Sequence, residues 1–139
     1  MKTLRTASRT ADGVFVDVIV TAGISNSRAA GADADMLGFD DATDGVSPGT
    51  INTIVVTNAT LSAAALVEAH ALAIESKCAA CTELGLLCAK SGRPAQGTGT
   101  DATVVVSACG GRRVRYAGKH TLFAELLGQA TQEATHAAL

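Results

Sequence analysis

The run Gly97-Thr98-Gly99-Thr100-Asp101 joins glycines, hydroxyls and one carboxylate in a single short stretch. Glycine admits positive φ and close backbone approach, so successive N–H groups can converge on one oxyanion or carbonyl, and threonine adds further donors. Asp101 could orient a water, an imidazole or a substrate amide. The same pattern equally fits a glycine-rich turn in which Asp101 caps backbone donors. No phosphate-loop or dinucleotide fingerprint accompanies it.

His120 lies in the polar stretch Tyr-Ala-Gly-Lys-His-Thr, just ahead of a helical pattern. Imidazole titrates near neutrality, so His120 is the histidine placed for acid–base work. His70, inside a helical pattern, and His136, near the C-terminus, read as structural or exposed. Cys78 and Cys81 have the CxxC spacing of redox motifs but sit within a helix rather than at the start of one after a strand, where the dipole would lower a thiol pKa. With Cys88 and Cys109 they read as reduced thiols; a second CxxC is absent, so zinc lacks a complete ligand set and no metal is expected. No GxSxG elbow supports Ser25 or Ser91 as the nucleophile of a triad with His120 and Asp101.

Elements must bring such residues together. Val14 to Val20 is β-branched and apolar, a buried strand that delivers the small polar segment Thr-Ala-Gly-Ile-Ser-Asn-Ser. Gly31 to Gly49 is acidic and turn-rich, a long surface loop. Ile51 to Thr57 is a second strand. Ser62 caps a helix in which Leu66, Ala69, Leu72, Ala73 and Ser76 recur at helical spacing, running to about Leu87. Ala102 to Ala108 is a third strand, Arg113 to Ala117 a short edge strand, and Thr121 caps a final helix with Leu122, Leu126, Ala130 and Ala134 on one stripe.

The order strand, strand, helix, strand, helix predicts one α+β domain over residues 1–139. It is a two-layer sandwich, a mixed sheet of three to four strands covered by two helices. If the first two strands are antiparallel and the third runs parallel to the second, Thr21, Ser25, Asn26, Thr50, Asn52, Thr98, Thr100 and Asp101 share one rim, with His120 beside them.

Composition narrows the partners. The 139 residues carry 11 Lys and Arg against 13 Asp and Glu, net −2, whereas a nucleic-acid binder normally shows a basic excess. Nucleic acid is not expected. The longest apolar stretch, from Leu61, is interrupted by Glu68, His70, Glu75 and Lys77, so no membrane span is expected, and no signal-peptide core follows the N-terminus. These readings place the protein in the cytoplasm.

The ordered segments VTAGISNSR, PGTINTIVVTNATLS, ALAIESK, SGRPAQGTGTDATVVVS and YAGKHTLFAELLG together resemble the adenosylcobinamide amidohydrolases, enzymes of corrinoid salvage. The resemblance covers the chain from about Val14 onward. It implies hydrolysis of the amide between a corrin propionate and the aminopropanol arm, giving a cobyric acid, with the corrinoid as substrate and no separate cofactor. Carried over, the family pattern marks Asn26, Gly49, Thr50, Asn52, Ser91, Gly92, Arg93, Gly97, Thr98, Gly99, Thr100, Asp101 and His120 as the pocket.

On that pattern Asp101 or His120 activates water, the GTGT backbone and Asn52 hold the oxyanion, His120 protonates the leaving amine, and Arg93 holds a propionamide, a phosphate or the corrin edge. The segment before VTAG is short relative to the family pattern. Its loss would expose a sheet edge that a homo-oligomer could cover, and leaves a non-catalytic corrinoid-binding module or a structural remnant as the alternatives to an enzyme.

Overall fold

The computed structural model describes residues 3–35 and 49–139. Most of the acidic loop expected between Gly31 and Gly49 lies outside the described residues.

The chain opens with a strand that sequence patterning passes over. β1 (Thr3–Ala11) and β2 (Val14–Ala22) form an antiparallel hairpin around Asp12 and Gly13. Both turn residues have positive φ, 50° and 76°, the geometry Asp-Gly supplies to a two-residue turn whose twist matches its strands. β1 alternates Thr, Arg and Ser with few apolar residues, so it lacks the hydrophobic signal of a strand. Pairing along β2 holds it in place.

The remaining elements are β3 (Ser27–Arg28), β4 (Ile51–Thr57), β5 (Thr60–Leu61), α1 (Ala63–Glu83), β6 (Gly97–Thr98), β7 (Ala102–Ser107), β8 (Arg113–Val114) and α2 (Leu122–Ala138). The main sheet has the order β1-β2-β4-β7, antiparallel except for the parallel β4–β7 pair. The fold is therefore the expected α+β arrangement, with a mixed four-stranded sheet and two helices. The order strand, strand, helix, strand, helix is found with β1 added in front. Arg113 to Ala117 does not extend this sheet: β8 pairs with β5 in a separate two-stranded piece.

The crossover from β4 to β7 passes through α1. Ser62 caps it, accepting a hydrogen bond from the Ala65 N–H at 3.1 Å. The helix stops before Leu87 because Gly85 takes a left-handed φ of 67°. Gly85 N–H then bonds Thr82 O at 3.0 Å and Leu86 N–H bonds Cys81 O at 3.0 Å, which satisfies the last carbonyls. Thr121 caps α2 in the same way, accepting from Ala124 N–H at 3.2 Å.

Both helices lie on one face of the sheet. β2 alternates strictly, with Val14, Val16, Val18, Val20 and Ala22 buried toward the helices. They meet Ile51 and Val55 of β4 and a run of small residues on the helices, including Ala65, Ala69, Ala73, Ala130 and Ala134. With so few aromatics, this small-residue packing brings α1 and α2 close to each other and to the sheet. Among the described residues no helix is long and apolar enough to cross a membrane.

Candidate active site

Register fixes which loops meet. Ala22 of β2 faces Ile51 of β4, and Asn52 of β4 faces Ala102 of β7. The end of β2, the start of β4 and the start of β7 therefore lie side by side, as the antiparallel and parallel pairing required. Thr50 Oγ1 donates to Thr100 O at 2.8 Å, and Thr100 Oγ1 donates back to Gly49 O at 2.9 Å. Gly23 N–H bonds Thr50 O at 2.9 Å and Gly99 N–H bonds Asn26 O at 3.0 Å. Across the β2–β4 pair, Asn52 Nδ2 donates to Thr21 Oγ1 at 3.3 Å. Asn26, Thr50, Asn52, Thr98, Gly99, Thr100 and Asp101 are thus gathered at one end of the sheet.

Asp101 ties this cluster together. Its Oδ1 accepts from Ile51 N–H at 2.9 Å and from Thr98 Oγ1 at 2.5 Å, and its Oδ2 accepts from Thr98 N–H at 3.1 Å. The fourth donor is the ammonium of Lys77, which reaches Oδ2 from α1. Both side chains of this ion pair are largely buried, 7% and 14% exposed. Sequence periodicity put Lys77 outside the buried stripe of the helix, because a mid-helix lysine ordinarily faces water. Helical spacing alone did not mark it, although the segment ALAIESK of the resemblance ends on it.

The pair also explains Gly97. A Cβ built there would lie 1.9 Å from Asp101 Oδ2 and 2.6 Å from Lys77 Nζ. The glycine is required by close approach. Gly99 is similarly crowded by Asn26 Nδ2, 2.7 Å from where its Cβ would stand.

Two expected roles change on this geometry. The GTGT backbone was expected to offer free N–H groups to an oxyanion, but Thr98 N–H is held by Asp101, Gly99 N–H by Asn26 O and Thr100 N–H by Thr98 Oγ1 at 3.4 Å. The loop spends its donors on itself. His120, expected at the same rim, is exposed and belongs to a segment fastened elsewhere. Arg112 Nη1 donates to Asp12 O at 2.8 Å, at the β1–β2 turn, and β8 pairs with β5 beyond the far end of β4. Ala117 N–H donates to Glu68 Oε2 at 2.5 Å, in the first half of α1, and Lys119 pairs with Glu75 at 2.6 Å. The two ends of β4 stand roughly 20 Å apart. His70, set aside from the sequence, has Nε2 3.2 Å from Thr103 O, on the strand that Asp101 precedes.

Arg93 is exposed on a hairpin-like loop in which Cys88 N–H bonds Arg93 O at 2.8 Å and Gly92 N–H bonds Cys88 O at 2.9 Å. This loop docks beside the site through Ala89 N–H to Ser27 O at 3.0 Å. Within it, the Ser91 hydroxyl and neighbouring N–H groups bring the Cys88 thiol down to about 6, whereas burial pushes Cys81 up to about 11 and also raises Cys78. Among the described residues no three His, Cys, Asp or Glu side chains are grouped to hold a metal ion.

The family pattern for Adenosylcobinamide amidohydrolase matches residues 1–139. The chain is 36% identical over 124 residues to Adenosylcobinamide amidohydrolase of Halobacterium salinarum, covering 89% of this chain and 50% of that protein. It is 34% identical over 151 residues to an uncharacterized protein of Methanocaldococcus jannaschii, covering 100% of this chain and 59% of that protein. The chain thus spans about half of one relative and three-fifths of the other.

Proposed function

The chain belongs to the adenosylcobinamide amidohydrolase family, and on that premise we propose that it hydrolyses the amide joining the aminopropanol arm to a corrin propionate, releasing a cobyric acid. One observation carries the reading. Three motifs of the resemblance, far apart in sequence, meet at the Asp101 carboxylate at the end of the sheet: it is held by Ile51, by Lys77 and by Thr98 of its own loop.

Hydrolysis of an unstrained amide needs a polarised carbonyl, an activated water and a proton for the departing amine. Of the four donors on Asp101, the Thr98 hydroxyl can redirect its proton while its oxygen still accepts from Thr100 N–H. Oδ1 then has a lone pair for a water. Asn52 and Thr21 lie at the same end of the sheet, an amide and a hydroxyl that can meet the substrate carbonyl. His120 takes no part in this scheme, because its segment is fastened toward the other end of the sheet.

Incubation with adenosylcobinamide should release aminopropanol. Asp101→Asn should lower turnover by roughly 10²–10⁴-fold, and His120→Ala should leave it close to that of the parent protein. Well-folded protein without turnover would end this reading. A second reading is favoured by the complete engagement of Asp101: a corrinoid-binding module in which that carboxylate is purely a framework group. Spectral changes on titration without aminopropanol release would establish it.

A further inference from the structure

The helices cover only one face of the main sheet. On the other, Ile54 of β4 and Val104 and Val106 of β7 are 38%, 50% and 48% exposed, and Leu4 of β1 is 60% exposed. Strand alternation puts the Asn52–Thr21 pair on this same face, since Asn52 and Ile54, and Thr21 and Ile19, are two residues apart on their strands. On β2, β4 and β7 an apolar platform that includes Ile19, Ile54, Val104 and Val106 therefore runs into the polar rim of the candidate site, and β1 edges it with Leu4 and the hydroxyls of Thr6, Ser8 and Thr10. Among the described residues its single charged side chain is Asp17, toward the opposite end, where it accepts from the Ser8 hydroxyl.

We infer that this open sheet face is the platform on which the corrin ring of the substrate lies, with its amide arm reaching the rim at Asn52 and Thr21. The inference rests on the proposed function. Four strands span about 14 Å and six residues about 20 Å, which suits one flat macrocycle. A second copy of the chain is the poorer occupant: the platform offers about 300 Å² by those dimensions, well under the roughly 800 Å² per partner of a stable protein interface. An apolar ring edged with neutral amides matches a face that is apolar, nearly uncharged and bordered by an amide and a hydroxyl.

The test is a titration of the full chain with adenosylcobinamide, followed by the visible absorption of the corrinoid, for the parent protein and for Ile54→Glu, Val104→Glu and Val67→Glu. Val67 is exposed on α1, in the other layer. A charge placed under the ring should weaken binding about tenfold or more in the first two, while Val67→Glu binds like the parent. Val104→Thr, which keeps the branched shape, should show a smaller loss of the same sign and guards against misfolding of the charged variants. Parent protein that binds, with every face variant binding equally well, overturns the inference and leaves the proposed function standing. Parent protein that neither binds nor hydrolyses the corrinoid removes both. A dimer in sedimentation that Val104→Glu dissociates, with corrinoid affinity unchanged, would show a second copy on the face and also overturn it.

Discussion

The Lys77–Asp101 pair illustrates how far a single residue's surroundings decide its role. A largely buried ion pair repays its desolvation only when both partners and their hydrogen bonds are present, so removing one strands the other. Lys77→Met should cost about 3–5 kcal/mol of folding stability in denaturant titrations. A loss below about 1 kcal/mol would mean that the pair behaves as a solvated surface contact. That Asp101 gathers with Thr50 and Thr98 was legible, because strand direction alone brings them to one end of the sheet. Lys77 was not: nothing in the local sequence of α1 announces a carboxylate across the crossover. The surroundings of His120 were not legible for a related reason, since the segment before it is held by distant partners, Arg112 on Asp12 and Ala117 on Glu68.

At the level of elements, turns and caps account for what could be read in advance. Ser62 and Thr121 were recognisable caps, and β2, β4 and β7 are apolar enough to identify themselves. β1 was hidden because its core-side positions include Arg5 and Arg9, opposite Val20 and Val16, leaving only the Asp-Gly turn as a signal. Two glycines in turns separate backbone strain from collision. Gly13 has a φ of 76° and open space around a would-be Cβ, so Gly13→Ala should cost about 1–2 kcal/mol, the left-handed penalty alone. At Gly111 a Cβ would lie 1.8 Å from Asn58 O, so Gly111→Ala should destabilise considerably more. Thermal melts of the two variants check the ranking, and equal losses would contradict it.

For the molecule as a whole, the question is whether the site's surroundings fold with the core. A small cluster of Ala29, Cys88 and Ala95 sits beneath the loops around the site, apart from the main core of sheet and helices. Leu86 packs against both. That shared contact predicts one cooperative unfolding transition, with secondary-structure and tertiary probes coinciding. Two separated transitions would show that the site loops melt on their own and that the chain is not a single unit.

The parallel pairing of β4 with β7 has a further consequence, in time rather than in space. Asn52 and Ala102 become neighbours only after a connection of fifty residues has closed, and long-range pairings of this kind are slow to form. Of the partners of Asp101, Ile51 lies across that closure and Lys77 within the connection itself. The candidate site is therefore a late product of folding, absent from any intermediate that holds only the β1–β2 hairpin and β4. Recovery of the proposed corrinoid binding should consequently trail the recovery of bulk secondary structure.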